Sequence, residues 1–272
     1  SPSGTGLISN SGIDYSNDTA NSTYRGALVI GCSSGFNFSS REHGLPQISS
    51  ARSVNPATQL EPPAQVGGPA YGYVAGGDYE YRVSRIDFAN DTATATPRGS
   101  LNSGRSRAGG TGNTSYGYVT GGVNTPNDST SRVERISYAY DSLTASYKAP
   151  LSASRKYVAS VGNANYGYTG GGNGDFPSGT YYTHQSLLDR IDYANDTTTA
   201  TSLGNIYVPQ AGGAVYTCAG TVDYGYIAGG GFPYTSICRR IDYSNDSVAT
   251  LARGPLAGET FSNSGTGNIN YG

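Results

Sequence analysis

Tyr71-Gly72-Tyr73-Val74-Ala75-Gly76-Gly77 alternates like a strand and stops at a glycine pair; Arg85-Ile86-Asp87-Phe88-Ala89-Asn90-Asp91-Thr92 follows after a short interval. Both phrases recur. The first returns from Tyr116, Tyr166 and Tyr224, and the chain ends inside another copy at Tyr271-Gly272. The second begins at Ile13 and returns around Ile86, Ile136, Ile191 and Ile241, the later copies spaced about fifty residues apart. A period of that length marks one supersecondary unit used repeatedly. Residues that recur therefore belong to a scaffold, and function is expected where the copies differ.

Within a unit, Tyr71 to Ala75 reads as one strand and Val83 to Phe88 as another, with Ile86 and Phe88 on one face and Arg85 and Asp87 on the other. Ala89-Asn90-Asp91 is a turn signal, because Asn and Asp side chains bond to nearby backbone. Thr92 to Thr96 carries β-branched residues at alternate positions and predicts a third strand, broken by Pro97-Arg98-Gly99. A fourth strand is expected from about Arg107 to Thr111, with Gly112-Asn113 turning it into the next Tyr-Gly-Tyr. Four short strands joined by hairpins make one propeller blade. Gly72, between two tyrosines, leaves one sheet face bare, so a neighbouring sheet or its aromatics can approach. Arg85 and Asp87 are expected to pair along their strand, as are Arg190 with Asp192 and Arg240 with Asp242.

The unit resembles the Kelch repeat. It has a strand ending in a double glycine (Gly76-Gly77), an aromatic-rich strand with a tight turn (Phe88 to Asp91), and a small-residue stretch leading to an arginine. That last stretch reads Leu101-x-Ser103-x-Arg105, Leu151-x-Ala153-x-Arg155 and Ile48-x-Ser50-x-Arg52. The tryptophan typical of Kelch blades is absent, since the chain has none. More narrowly, the wording of the two phrases is similar to Kelch-like repeats of marine bacteriophage tail-fibre and virion proteins. The resemblance implies an all-β, Kelch-like β-propeller and a location on a virion or extracellular surface.

The repeats count to about five four-stranded blades. The two ends supply complementary halves, so the propeller is expected to close by joining N- and C-terminal half-blades, which removes exposed sheet edges. Residues 1–272 then form a single propeller domain, with the stretch from Gly26 to Leu45 as a loop insertion. Ser1 and the lack of methionine suggest an excerpt of a longer chain.

Composition excludes some partners. Net charge is −2, only 13% of residues are charged, and no basic stripe exists, so nucleic acid is disfavoured. No apolar run approaches a membrane span, so no membrane insertion is expected. Cys32, Cys218 and Cys238 lack metal spacing. Cys218 and Cys238 fall on strands separated by another, at roughly 9–10 Å, too far for a disulfide. Free thiols are therefore expected.

No catalytic pattern is present. His43 and His184 are the only histidines and are not repeated. There is no nucleophile elbow, phosphate loop or metal pair. The Asp-Tyr-Ala-Asn-Asp phrase lacks calcium-loop spacing and reads as turn-forming aspartates. A non-enzymatic protein without cofactor or metal is expected.

The variable segments carry more information. Those after the double glycines, and the insertion from Gly26 to Leu45, are expected at one end of the disc. They bring Phe36, Phe38, Tyr79, Tyr81, Asn124, Asn127, Phe176, Tyr181, Tyr182, His184, Phe232 and Tyr234 to one face. Loops on a rigid scaffold commonly carry recognition. Aromatics beside Asn and Asp suit sugar rings, which stack while their hydroxyls find polar partners. The expected function is a binding module that recognises a host-surface glycan or receptor. A structural role holding neighbouring virion subunits, with homo-oligomers included, and an intracellular Kelch-type interaction scaffold are the alternatives.

Overall fold

A computed structural model describes residues 9–12, 23–27, 37–39, 71–90, 92–125, 128–175, 183–206, 217–221, 223–230, 235–247 and 250–258. Among these, every sheet is antiparallel and four are four-stranded. Sheet 1 runs Asn37–Ser39, Tyr71–Ala75, Arg82–Asp87, Thr96–Ser100. Sheet 2 runs Gly109–Gly112, Tyr116–Thr120, Val133–Ser137, Ser146–Lys148. Sheet 3 runs Ala159–Gly162, Tyr166–Gly170, Leu187–Asp192, Thr201–Asn205. Sheet 4 runs Thr217–Gly220, Tyr224–Ala228, Cys238–Asp242, Leu251–Arg253. Each sheet is thus built in chain order, first strand to fourth. An N-terminal hairpin pairs Ser9–Gly12 with Thr23–Ala27.

The sheets are phased one strand earlier than the repeat suggests. The strand Gly109–Gly112 opens sheet 2 by pairing with Tyr116–Thr120, rather than closing the sheet before it. The outer strand also lies later than expected, at Thr96–Ser100, and contains Pro97. A turn follows Asp87, whose Oδ1 accepts from Ala89 N, and Asn90 O accepts from Ala93 N. An edge strand tolerates the missing N–H of Pro97. The stretch from Gly26 to Leu45 is not all loop, since Asn37–Ser39 pairs with Tyr71–Ala75 and Phe38 lies opposite Tyr73.

Sheets 2, 3 and 4 stack through their first strands, which are made of small residues. Thr111 Oγ1 donates to Val161 O at 3.0 Å, and Thr120 Oγ1 and Ser160 Oγ share a bond at 2.9 Å. A Cβ on Gly109 would sit 2.2 Å from Ser160 Oγ. Between sheets 1 and 2 the core holds Tyr73, Val83, Leu101, Val119 and Ile136. Between sheets 2 and 3 it holds Tyr118, Val133, Leu151, Ile191 and Tyr193; between 3 and 4, Tyr168, Leu188, Ile206, Ile227 and Ile241.

The bare glycine of Tyr-Gly-Tyr receives an aromatic ring, as its sequence implies. A Cβ on Gly72 would stand 2.7 Å from Phe88 Cζ, and one on Gly167 2.7 Å from Tyr193 Oη. The ring then stacks on the preceding sheet: Tyr138 on Tyr73 at 4.8 Å, Tyr193 on Tyr118 at 4.7 Å, Tyr243 on Tyr168 at 5.0 Å. Offset stacking of this kind stabilises beyond area burial alone.

The acidic residues work differently from the sequence reading. Arg85 does not pair with Asp87. It reaches Asp141 of sheet 2 at 2.9 Å, where Tyr73 Oη also donates, at 2.9 Å, and Arg98 stands at 3.3 Å. Asp196 likewise accepts from Tyr118 and Arg135 of sheet 2 and pairs with Lys148; Asp246 accepts from Tyr168 and Arg190 of sheet 3. The turn is left to the preceding residues: Asp192 caps Ala194 N and Asn195 Oδ1 accepts from Thr197. The last aspartate of the three phrases whose ends are described, Asp141, Asp196 and Asp246, is therefore a latch between sheets. The other residue in the reach of this arginine is a tyrosine: Arg85 lies over the Tyr71 ring at 4.0 Å and Arg135 over Tyr116 at 4.2 Å.

Cys218 and Cys238 are free and separated by the strand Tyr224–Ala228, as the strand spacing implies. Cys32 lies outside the described residues.

Candidate functional site at the loop end

In an antiparallel sheet traced in chain order, segments after the second and fourth strands leave at the same end. That end carries the variable segments, and its floor is built first. The glycine pairs that end the second strands have positive φ, 60° and 94° at Gly121 and Gly122, which glycine adopts without strain. They turn the chain onto its neighbours: Gly121 N donates to Arg132 O and Gly122 N to Arg155 O.

Beneath them lie two buried arginines. Arg105 Nη1 donates to Gly121 O at 3.1 Å and Arg132 O at 2.9 Å, and its Nη2 meets Glu134 Oε1 at 2.6 Å. Glu134 Oε2 accepts from Asn102 N at 2.7 Å. Arg155 repeats this in sheet 3, with Gly171 O, Leu187 O and Asp189; Ser152 donates twice to the same carboxylate. Both ion pairs are fully buried. Burial draws both guanidinium pKa values down, and the carboxylates oppose it. These are the arginines that the Kelch resemblance singles out, and their role is to tie each connecting segment into the following sheet.

Above this floor, short hairpins rise from two sheets. Val123–Thr125 pairs with Asp128–Ser129, and Asn173–Gly174 with Thr183–His184. They are linked through Asp175, which accepts from Lys156 Nζ at 2.7 Å and from Ser129 N. Burial works to raise the Asp175 carboxyl, but these two donors outweigh it and hold it below the ordinary carboxylate value. Beside Lys156, Tyr157 adopts a left-handed backbone with φ 60°, as does Arg107, whose guanidinium lies 4.7 Å from the Tyr157 ring centre. Such strain in non-glycine residues persists only where the surroundings impose it. Here Tyr157 N donates to Arg107 O at 2.8 Å.

The candidate residues fall as follows. Tyr81 is 54% exposed on the segment of sheet 1. Tyr79 shares that segment and is half-buried, with φ 63°, its carbonyl covering Gly104. Asn124 stands on the hairpin of sheet 2, half-buried, its Oδ1 without a hydrogen-bond partner. His184 lies opposite Asn173 in the hairpin of sheet 3, and Phe38 is in the first strand of sheet 1. Phe36, Asn127, Phe176, Tyr181, Tyr182, Phe232 and Tyr234 lie outside the described residues. Lys156, Asp175, Arg107 and Tyr157 were not singled out by sequence. The signal was faint: Lys156 is one of only two lysines, beside Lys148. Among the described residues there is no cluster of three His, Cys, Asp or Glu that could hold a metal ion.

The arrangement is similar to a solved structure, that of YjhT, a Kelch-type β-propeller protein, with a TM-score of 0.55 and 13% identity. The match covers 69% of this chain, which spans 63% of YjhT. At that identity the likeness shows the fold alone: all-β and propeller-like. No family model and no curated protein matches the chain.

Proposed function

We propose that the chain is a non-enzymatic binding module, a closed five-sheet propeller on a virion, tail fibre or other extracellular surface. Its loop end recognises a host-surface glycan or protein receptor. The observation that carries this reading is the contrast between floor and loops. Arg105 and Arg155 repeat the same bonds under segments whose lengths and side chains differ. A rigid floor under dissimilar loops is how recognition surfaces are commonly mounted. The exposure of Tyr81 supports it, as a ring free to stack on a sugar or to anchor a protein contact. The four stacked sheets and the N-terminal hairpin support the five-sheet count.

The test is binding to an array of envelope polysaccharides, with the chain and its Tyr181→Ala/Tyr182→Ala variant measured side by side. The double variant is expected to bind more weakly by roughly 1–3 kcal/mol with an unchanged circular dichroism spectrum. Equal binding by both proteins would remove these tyrosines from the site. An array with no positive spot would remove glycans as the ligand class.

A further inference from the structure

Sheet 4 presents the socket that sheets 1, 2 and 3 each present to the sheet after them, and among the described residues nothing occupies it. In the three filled sockets, a tyrosine of the second strand (Tyr73, Tyr118, Tyr168) and an arginine of the third (Arg85, Arg135, Arg190) donate to the latch aspartate of the next sheet. The next sheet's tyrosine ring stacks on the same second-strand tyrosine. In sheet 4 these positions are Tyr226 and Arg240. Arg240 is already posed, its guanidinium over the Tyr224 ring at 4.0 Å, as Arg85 is over Tyr71 at the same distance. Its Nε is buried without a hydrogen-bond partner. Tyr226 is half-buried, whereas Tyr73, Tyr118 and Tyr168 are fully buried. Arg253, the counterpart of Arg98 and Lys148, is exposed nearby on the outer strand. The socket thus offers cations and a hydroxyl, and calls for a carboxylate carried behind an aromatic ring.

We propose that this socket is filled by the chain's own N-terminal repeat, with Tyr15 stacked on Tyr226 and the Asp18 carboxylate accepting from Tyr226 Oη and Arg240. Two observations select that occupant. The sequence from Ile13 to Asp18 is Ile-Asp-Tyr-Ser-Asn-Asp, identical to the sequence from Ile241 to Asp246 that fills the socket of sheet 3. The N-terminal hairpin also has the register of the outer half of a sheet: Ser11 lies opposite Tyr24 and Gly12 opposite Thr23, as Glu134 lies opposite Tyr147 and Arg135 opposite Ser146. The hairpin thus has the register of an outer half-sheet, and the sequence that follows its first strand is that of a latch. The inference rests on the five-sheet reading above and gives it a specific joint.

The test is a double-mutant cycle in the full chain. Unfolding in urea is measured for Asp18→Asn, Arg240→Gln and their combination, with Asp196→Asn and Arg135→Gln as the internal standard. Native mass spectrometry and hydrogen exchange over residues 9–27 accompany it. If Asp18 meets Arg240, each single change lowers the folding equilibrium constant by about tenfold and the combination lowers it little further. The internal standard shows the same pattern, and the protein is a monomer. Effects that multiply independently overturn the joint. In that case, protected amides in the N-terminal hairpin leave five-sheet closure standing without this latch, and unprotected amides remove both. Coupling found only in a dimer assigns the socket to a second copy and overturns the intramolecular proposal.

Discussion

Two of the three described boundaries between sheets, 1 to 2 and 2 to 3, are held by charge at both ends, but in different ways. At the loop end, Arg105–Glu134 and Arg155–Asp189 are sealed from water, with both partners fully buried. At the turn end, the latch aspartates are themselves largely buried, but their arginines are about a quarter exposed: 20% at Arg85, 25% at Arg135 and 28% at Arg190. The buried pair is also the less regular device. Its carboxylate position holds Glu134 in sheet 2 and Asp189 in sheet 3, but Ser84 and Arg239 in sheets 1 and 4. The latch recurs at all three boundaries. The turn end thus supplies the common joint between the described sheets, while the loop end carries sheet-specific reinforcement under loops that are themselves sheet-specific.

That contrast sets the sizes of the expected effects. Arg105→Ala strands Glu134 in the interior and should destabilise by roughly 3–5 kcal/mol, whereas replacing both partners with Met and Leu should be nearly neutral. Urea unfolding of the two variants checks this. A single variant within about 1 kcal/mol of the parent would mean that water reaches Glu134 and that the floor is not sealed. Asp196→Asn, by contrast, weakens bonds to Tyr118, Arg135 and Lys148 but leaves no stranded charge of the opposite sign out of reach of water, since Arg135 is a quarter exposed. The expected loss is about 1.5–3 kcal/mol, smaller than that of Arg105→Ala. A larger loss than Arg105→Ala would reverse the ranking of the two ends.

Much of the scaffold is legible in the sequence because it rests on local chemistry. Gly72 and Gly167 announce a close approach, and rings fill it. The glycine pairs announce a sharp turn, and they adopt left-handed φ. What sequence misassigned depends on partners far along the chain. Asp141 looks like a turn residue because it sits in one, yet the groups that hold it, Tyr73 and Arg85, lie 68 and 56 residues earlier in another sheet. Arg85 and Asp87 alternate onto one strand face and look paired, but the longer arm of the arginine reaches the neighbouring sheet first. Pro97 looks like a strand breaker because periodicity cannot tell an edge strand from a central one. At the loop end, Tyr81 was legible as an exposed aromatic on a variable segment. The Lys156–Asp175 pair was not, because nothing repeats at those positions to reveal that they meet.

The two ends should also respond to opposite extremes of pH. Burial and hydrogen bonds to Asp141, Asp196 and Asp246 push the hydroxyls of Tyr73, Tyr118 and Tyr168 well above the ordinary tyrosine value, the nearby arginines opposing. A raised tyrosine pKa favours folding while the hydroxyl is neutral. The stabilisation is therefore complete below pH ~10 and lost as pH rises from there toward the raised values. Asp175 behaves in the opposite sense. Its lowered pKa gives stability present above the ordinary value of 3.8 and lost as pH falls through the folded value. Tyrosinate absorbance followed with circular dichroism should show ionisation of these rings only together with loss of the sheets. Ionisation near pH 10 in a folded protein would mean that water enters the boundaries between sheets.

The smallest expected effect on stability is at Tyr81. Its ring is 54% exposed, so the fold gains little from it, and Tyr81→Ala should change stability by no more than about 0.5 kcal/mol. Its backbone is another matter, since Tyr81 O accepts from Leu101 N and anchors the connecting segment that carries Arg105. Alanine keeps that carbonyl, so the substitution separates the ring from the scaffold. If the ring serves recognition, the variant keeps its urea midpoint and loses affinity on the polysaccharide array. If the midpoint drops by as much as in Asp196→Asn, the ring is part of the floor after all, and the division between a repeated scaffold and a free loop surface fails at sheet 1.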